Sequence, residues 1–194
     1  MSAANVNHGA IAIVLAAGGS RRMGRPKALL PLFGEPLVLH HVRALGARAQ
    51  GVVVVTGGHR EAVEGILPRH VRVVHNTAWS ASWPADSLRL ALDAVDATGP
   101  VWVTPVDTPP APIALLDALA ATPLPSVPAH GDATGHPVLL DDRTVAALRA
   151  RVPDGGLRTL LGHATRVPWP DPWQVRDFDT PEAWRAFTTR SEGG

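Results

Sequence analysis

The side chains with the clearest chemical potential lie near the N-terminus, just after a short apolar run at residues 11–15. This run has the length and branching of a buried strand, and glycine stops it. Gly18, Gly19 and Gly24 would let the backbone turn its N–H groups toward a ligand. Cations around such a loop suit a polyanion, most obviously a nucleoside triphosphate. The cations are Arg21, Arg22, Arg25 and Lys27. A basic surface loop after a core strand is the alternative interpretation.

The spacing of this segment excludes two better-known phosphate-binding loops. A P-loop requires a lysine and a hydroxyl residue directly after its second glycine. Here two residues separate Gly24 from Lys27, and Ala28 stands where the hydroxyl would be needed. A dinucleotide loop requires one residue between its first two glycines, whereas Gly18 and Gly19 are adjacent. The segment therefore predicts a nucleotide-binding loop of a different kind.

Strand and helix patterns alternate along the chain. Short, continuously apolar runs predict strands, and apolar residues at helical spacing predict the helices between them. The clearest strands are expected at residues 11–15, 51–56, 71–74 and 101–104, and helices at 36–48, 61–67 and 84–95. Later strands are expected near Val127, at 138–140 and, antiparallel, at 165–169, with helices at 143–151, 157–163 and 181–188. This order predicts an α/β fold, a Rossmann-like, doubly wound, mainly parallel sheet with helices on both faces.

Composition narrows the class of protein. Lysine and arginine number 18 against 17 acidic residues, so the net charge of +1 gives no reason to expect nucleic-acid binding. The chain has no cysteine, which excludes thiolate catalysis, and its apolar runs are too short to span a membrane. Residues 1–9 lack the pattern of a signal peptide. We therefore expect a flexible tail at residues 1–9 and a single domain at residues 10–190, in the cytoplasm.

The segment from Leu15 to Leu32 reads L-A-A-G-x-S-x-R-M-G-x-P-K-x-L-L-P-L. It resembles the signature of the nucleotidyltransferases that act on molybdenum cofactor, and most closely their cytidylyltransferase branch. Weaker matches follow in the order that this family requires, and together they cover about residues 10–187. They are N-x-x-W from Asn76, D-S-L from Asp86, V-D-x-P from Val106, G-H-P-V from Gly135 and D-x-D-T-P-E from Asp177.

The resemblance implies a nucleotide-diphospho-sugar-transferase-like fold and assigns roles to the loop cations. Arg22 and Lys27 match the motif: a planar guanidinium can bind two phosphate oxygens, and lysine acts as a point charge beside the α-phosphate. Both are expected to be catalytic, together with Asp107. The expected nucleotide contacts are Leu15, Ala16, Ala17, Gly18, Gly19, Ser20, Arg22, Lys27, Ser87 and Asp107.

Carboxylates in the middle of the chain and near its C-terminal end predict a magnesium site. Asp107 follows the strand at 101–104, and the prolines after it stop further strand pairing. A carboxylate at a strand end is a natural ligand for Mg²⁺, although a helix N-cap is the alternative role. The resemblance implies that Asp179 is the second metal ligand. Asp177, two positions earlier on an extended segment, is the reserve candidate.

Further residues are assigned to binding the nucleobase and to binding the acceptor, which is the second substrate. The resemblance places Ser87 near the base, where its hydroxyl could bond a pyrimidine; capping is the alternative. His136 and Arg158 are expected to bind the acceptor, although a lone loop histidine is often structural. The remaining histidines are interpreted as packing or surface residues. Where the family has glycine and methionine, this chain has Ser82 and Trp83, so its base-side loop is expected to differ.

The leading hypothesis is Mg²⁺-dependent transfer of CMP from CTP to the phosphate of the molybdopterin-type molybdenum cofactor, with release of pyrophosphate. The resemblance favours CTP because guanylyl-transferring relatives have glycine at the position of Ala17 and lack Pro26. The methyl group of Ala17 would also crowd the base pocket. Alternatives are guanylyl transfer to the same cofactor, transfer to a sugar phosphate or other small phosphate, and a nucleotide-binding module without turnover. The resemblance also allows a protein partner, a molybdoenzyme or its maturation chaperone.

Overall fold

A mixed eight-stranded sheet forms the centre of the computed structural model, which describes residues 9–191 except 96 and 98. The predicted tail at residues 1–9 lies outside the described residues apart from Gly9. The strands are β1 (Ile11–Ala16), β2 (Pro31–Leu32), β3 (Glu35–Pro36), β4 (Gly51–Thr56), β5 (Arg72–His75), β6 (Val101–Pro105), β7 (Ser126–His130), β8 (Ala133–Thr134), β9 (Val138–Leu140) and β10 (Thr165–Pro168). The α-helices are α1 (Leu37–Gly46), α2 (Arg60–Glu64), α3 (Pro84–Ala94), α4 (Ile113–Ala120), α5 (Asp142–Ala150), α6 (Leu157–Leu160) and α7 (Pro181–Ser191). No helix in the described part of the chain is long and apolar enough to cross a membrane.

The strand order in the large sheet is β10-β7-β9-β6-β1-β4-β5, with β8 paired to β7 and β2–β3 forming a separate hairpin. Strands β6, β1, β4 and β5 run parallel, and β9 reverses direction between β6 and β7. The predicted mainly parallel, doubly wound sheet is confirmed. The prediction of an antiparallel strand at residues 165–169 is wrong, because β10 pairs parallel with β7. Strand β9 runs antiparallel to β7, and α5 and α6 then carry the chain to the other side of β7, so β10 again runs in the direction of β7.

The two faces of the sheet carry separate apolar cores. Along β1, Ala12 and Val14 belong to one core and Ile13 to the other, as expected because side chains alternate along a strand. The first core includes Leu115 of α4, and the second includes Leu92 of α3. Helices therefore cover both faces, which explains why the central strands carry apolar side chains on both faces.

A third apolar group, here called the terminal cluster, joins the segment after β1 to the C-terminal segment. It contains two aromatic rings, Phe178 and Trp184, which meet edge to face with centroids 5.2 Å apart. The members of the terminal cluster are Met23, Leu30, Leu32, Leu37, Phe178 and Trp184. Burial of these side chains holds the residues that follow β1 against α7.

Helix α4 is not predicted by the sequence patterns. Three prolines lie within the four residues before it, and the helix begins directly after Pro112. Its sequence, IALLDALA, is apolar almost all round, so it lacks the polar stripe that identifies a surface helix. The leucines that it buries are Leu115, Leu116 and Leu119. Tertiary packing against the first sheet core, and not amphipathic patterning, accounts for this helix.

Replacing Gly135 by alanine is expected to destabilise the fold, because the backbone of another segment lies against it. An added Cβ would overlap the carbonyl oxygen of Gln174 and lie 2.6 Å from the Cα of Val175. Neither atom belongs to a flexible side chain, so Gly135→Ala should lower the free energy of unfolding by about 1–3 kcal/mol. Urea denaturation would measure it. The control is Gly162→Ala, whose Cβ would meet nothing closer than 3.8 Å; equal losses in the two variants would contradict the prediction.

Candidate active site

The loops after β1 and β6 meet at one edge of the sheet. The two strands pair parallel, with Leu15 opposite Pro105. The N–H of Val106 donates to the carbonyl oxygen of Leu15 over 3.0 Å, which extends this pairing to the point where the chain leaves the sheet. Ligands of open α/β sheets bind at this carboxyl edge. The loop that carries Lys27 and the loop that carries Asp107 are therefore neighbours.

Ser20 holds the glycine-rich loop in shape. Its φ of 50° is in the left-handed region, and the N–H groups of Met23 and Gly24 both donate to its carbonyl oxygen. The backbone N–H of Lys27 donates to the Ser20 hydroxyl over 3.0 Å. A Cβ added at Gly18 would meet nothing within 4 Å. The loop is thus fixed by its own hydrogen bonds, with open space beside Gly18.

Lys27 lies between two carboxylates that are far apart in the sequence. Its ammonium group donates to Oδ2 of Asp107 and to Oδ1 of Asp179, each over 2.7 Å. Arg22 pairs with the other oxygen of Asp179 over 2.9 Å. The side chain of Lys27 is 12% exposed and that of Arg22 is 70% exposed. Four residues that the sequence analysis assigned to phosphate and metal binding are thus brought together.

Asp179, and not Asp177, reaches this cluster because of the residue between them. Phe178 is fully buried in the terminal cluster, and its N–H donates to the carbonyl oxygen of Asp107 over 2.6 Å. Asp177 is exposed. The segment ends where Thr180 caps α7, its hydroxyl accepting the N–H of Ala183 over 3.3 Å.

The electrostatics of the cluster favour the charged forms of Lys27 and Asp179. The hydrogen bond from Lys27 is the main cause that lowers the pKa of Asp179, with Arg22 adding to it. Burial acts to lower the pKa of Lys27, but the two carboxylates outweigh burial and raise it above its ordinary value. A polyanion entering this site therefore meets cations that are already compensated by carboxylates.

Buried polar groups fix the loop that follows Asp107. The Thr108 hydroxyl donates to the carbonyl oxygen of Pro105 over 2.8 Å. A ring N–H of His41, on α1, donates to the carbonyl oxygen of Thr108 over 3.0 Å. Burial lowers the pKa of His41 to about 4, so the ring is neutral here. The interpretation of His41 as a packing residue agrees with this contact.

A cavity of about 90 Å³ lies beside the glycine-rich loop, and one of its lining residues was missed by the sequence analysis. His59, in the turn before α2, lines this cavity with Gly18, Lys27 and Asp107. Its Nε2–H donates to the carbonyl oxygen of Gly19 over 3.1 Å. The signal that could have found it is its place just after β4, at the same carboxyl edge of the sheet.

A second cavity, of about 750 Å³, adjoins the first and shares Leu15 with it. His136 and Arg158, the predicted acceptor residues, line this larger cavity. Burial lowers the pKa of His136 to about 4, and its Nδ1 is enclosed without a hydrogen-bond partner among the described residues. The buried amide of Gln174 donates to the carbonyl oxygens of His136 and Pro109, so it ties this wall to the loop after Asp107.

Two residues assigned to the base lie elsewhere. Ser87 is buried, and the amide of Asn76 donates to its hydroxyl over 2.9 Å and to that of Ser82 over 2.8 Å. Ala17 packs in the second sheet core. Among the described residues that line the two cavities, neither Ser87 nor Ala17 occurs. The structure therefore gives no support to the expectation that the Ala17 methyl group crowds the base.

The chain is a nucleotidyltransferase, with the fold of the nucleotide-diphospho-sugar transferases. It belongs to the family described as the MobA-like NTP transferase domain, which matches residues 12–167. The resemblance to molybdenum cofactor nucleotidyltransferases is thereby confirmed.

Individual relatives and solved structures support this assignment to the family. A molybdenum cofactor guanylyltransferase of Rhodobacter capsulatus is 33% identical over 185 aligned positions, in an alignment that covers 88% of this chain and 90% of the relative. The structure of Rv0371c from Mycobacterium tuberculosis H37Rv, in complex with manganese, has a TM-score of 0.72 and 25% identity over 94% of this chain and 99% of that one. The molybdopterin-guanine dinucleotide biosynthesis protein A of Archaeoglobus fulgidus shares the fold, with a TM-score of 0.67 and 17% identity over 95% of this chain and 100% of that one.

Replacing Lys27 by methionine should change how stability depends on pH. The lowered pKa of Asp179 means that its ion pairs stabilise the fold above its ordinary pKa of 3.8, and that this contribution is lost as the pH falls through the lowered value. Lys27→Met keeps the aliphatic stem and removes the charge. The difference in Tm between wild type and variant should be largest near neutral pH. It should shrink as the pH falls below 3.8. Thermal melts across this range would show it; a gap that does not vary with pH would indicate a packing effect only.

Proposed function

We propose that this chain transfers a nucleoside monophosphate from a nucleoside triphosphate to the phosphate of molybdenum cofactor, with release of pyrophosphate. The observation that carries the proposal is the convergence of Lys27, Asp107 and Asp179 beside a glycine-rich loop at the carboxyl edge of the sheet. The family supports the transferase chemistry, and the name of the Rhodobacter capsulatus relative supports the acceptor.

The reaction needs positioning and charge more than proton transfer. An oxygen of the acceptor phosphate attacks the α-phosphorus, and the bond from that phosphorus to pyrophosphate breaks. The attacking oxygen is already anionic, so no strong base is required. Lys27 and Arg22 would hold the triphosphate oxygens, exchanging part of their contacts with the carboxylates for phosphate. The glycine-rich loop would place the α-phosphate beside the larger cavity, where the acceptor would lie.

The two carboxylates fit a divalent cation. Oxygens of Asp107 and Asp179 lie 2.7 Å from a single ammonium nitrogen, so they converge on a volume that one cation occupies. In the described part of the chain no group of three or more acidic or histidine side chains is placed to hold a metal, so water and triphosphate oxygens would complete the ligands. Such mixed ligation suits Mg²⁺, which would neutralise phosphate charge when bound. Manganese in the Mycobacterium tuberculosis relative supports a divalent ion.

GTP is proposed as the donor, and CTP is the second candidate. The Rhodobacter capsulatus relative is named a guanylyltransferase, and the position of Ala17 in the sheet core gives no support to the steric argument for a smaller base. The observation that favours CTP is the Ala-Ala-Gly sequence at residues 16–18 followed by Pro26, which resembles the cytidylyl branch.

A direct comparison of donors tests this proposal. Purified chain, Mg²⁺ and molybdenum cofactor would be incubated with GTP, CTP, ATP or UTP, and pyrophosphate release would be measured. We expect the highest kcat/KM with GTP. A higher value with CTP would replace the guanylyl assignment by the cytidylyl one, and turnover with a sugar phosphate in place of the cofactor would overturn the acceptor. Absence of pyrophosphate with every donor and acceptor would indicate a binding module.

Removing the charge of Asp107 or Asp179 should lower turnover much more than stability. Asp107→Asn and Asp179→Asn each remove one anionic ligand, and we expect a loss in kcat of about 10²–10⁴. Tm should change by only a few degrees, since two carboxylates held close together repel each other. Asp177→Asn is the matched control, because that exposed carboxylate lies just outside the cluster and should keep its rate. Equal kcat values for Asp177→Asn and Asp179→Asn would contradict the site.

A further inference from the structure

Trp83 presents a free indole ring from a fixed backbone. The residue is 78% exposed, directly precedes α3, and lines the 750 Å³ cavity. Its backbone N–H donates to Oδ2 of Asp86 over 2.7 Å, and Pro84, which follows it, has a restricted φ. The main chain is therefore held by the first turn of α3, and the side chain is left free.

The fold does not use this indole for its core. Within the described residues, Trp83 belongs to none of the three apolar clusters, whereas Trp102 and Trp184 are buried in two of them. An exposed indole forgoes the large gain in free energy that its burial would provide. Because the indole lies at the edge of a ligand-sized cavity, a ligand bound there would cover it.

The other walls of the cavity indicate how a ligand would lie. The segment at residues 152–158, which ends in the first turn of α6, supplies apolar side chains, the carboxylate of Asp154 and one cation, Arg158. The neutral ring of His136 lines the cavity as well. Leu15 lines both this cavity and the one beside Lys27. A ligand that fills the larger cavity therefore extends from the mouth, at Trp83, toward the loop that carries the phosphate-binding cation.

We propose that Trp83 stacks on a flat nitrogen heteroaromatic ring of the acceptor, while the acceptor phosphate points toward Lys27. This inference rests on the proposed function, in which the acceptor carries a pterin ring. Stacking on an indole face tolerates many heteroaromatic rings and contributes binding without a specific hydrogen bond. Trp83 would thus set acceptor affinity and leave the phosphoryl chemistry to the charged cluster.

The test compares Trp83→Ala, which removes the ring, with Trp83→Phe, which keeps an aromatic face. Leu90→Ala, on the same helix but outside the residues that line the cavity, is the control. Binding of 6-hydroxymethylpterin, a fluorescent pterin without phosphate, would be followed by polarisation of its own fluorescence. Pyrophosphate release would give separate KM values for molybdenum cofactor and for the nucleoside triphosphate, and Tm would verify folding.

We expect Trp83→Ala to weaken pterin binding and raise the KM for the cofactor on the order of tenfold. The KM for the nucleotide should stay within about twofold, and Trp83→Phe should recover most of the loss. Unchanged pterin binding in Trp83→Ala would overturn the inference. A rise in the nucleotide KM alone would overturn it too, since the nucleobase would then be the stacked ring. Trp83-dependent pterin binding without turnover on the cofactor would support the stacking role while refuting the proposed transferase acceptor.

Discussion

The hydrogen bond from the Phe178 N–H to the carbonyl oxygen of Asp107 determines how the active cluster is assembled. It joins the end of β6, in the middle of the sheet, to a segment that enters no strand of that sheet. Burial of the Phe178 ring in the terminal cluster makes the contact stable, because Met23 and Trp184 close around it. The carboxylate of the next residue is then directed to Lys27, whose ammonium group offsets the repulsion between the two acids.

Much of the sheet could be predicted because its central strands are covered on both faces. The valine run of β4 and the apolar run of β1 are continuous for this reason, and the ends of β1 and β6 locate Gly18 and Asp107 at one edge. The direction of β10 could not be predicted in the same way. A short strand carries no sign of its direction, which here follows from its pairing with β7 and not with the preceding strand β9. Helix α4 was missed because its exposed face is also largely apolar, which leaves the helix without a polar stripe.

In the site, too, features set by the local sequence could be predicted, and features set by contacts between distant segments could not. Sequence placed Asp107 at a strand end, and a family motif pointed to Asp179, but Asp177 could not be separated from it by spacing alone. Only the path of the chain around the buried Phe178 ring makes the distinction. His59 was overlooked because its partner is a backbone carbonyl of Gly19, 40 residues earlier, and no side-chain pattern records such a contact. Sequence could not show that Ala17 packs in a core, where it gives no support to the steric argument for CTP.

The terminal cluster is small and separate from the two cores that hold the sheet together. It nevertheless holds Met23 of the glycine-rich loop and Phe178 beside Asp179. Proteins open in parts, and a part with few apolar contacts opens at a lower free energy than the whole. Local unfolding of α7 and its neighbours would therefore separate Asp179 from Lys27 while the strands of the large sheet stayed paired. On heating, the capacity to bind a triphosphate would then be lost before the large sheet melts.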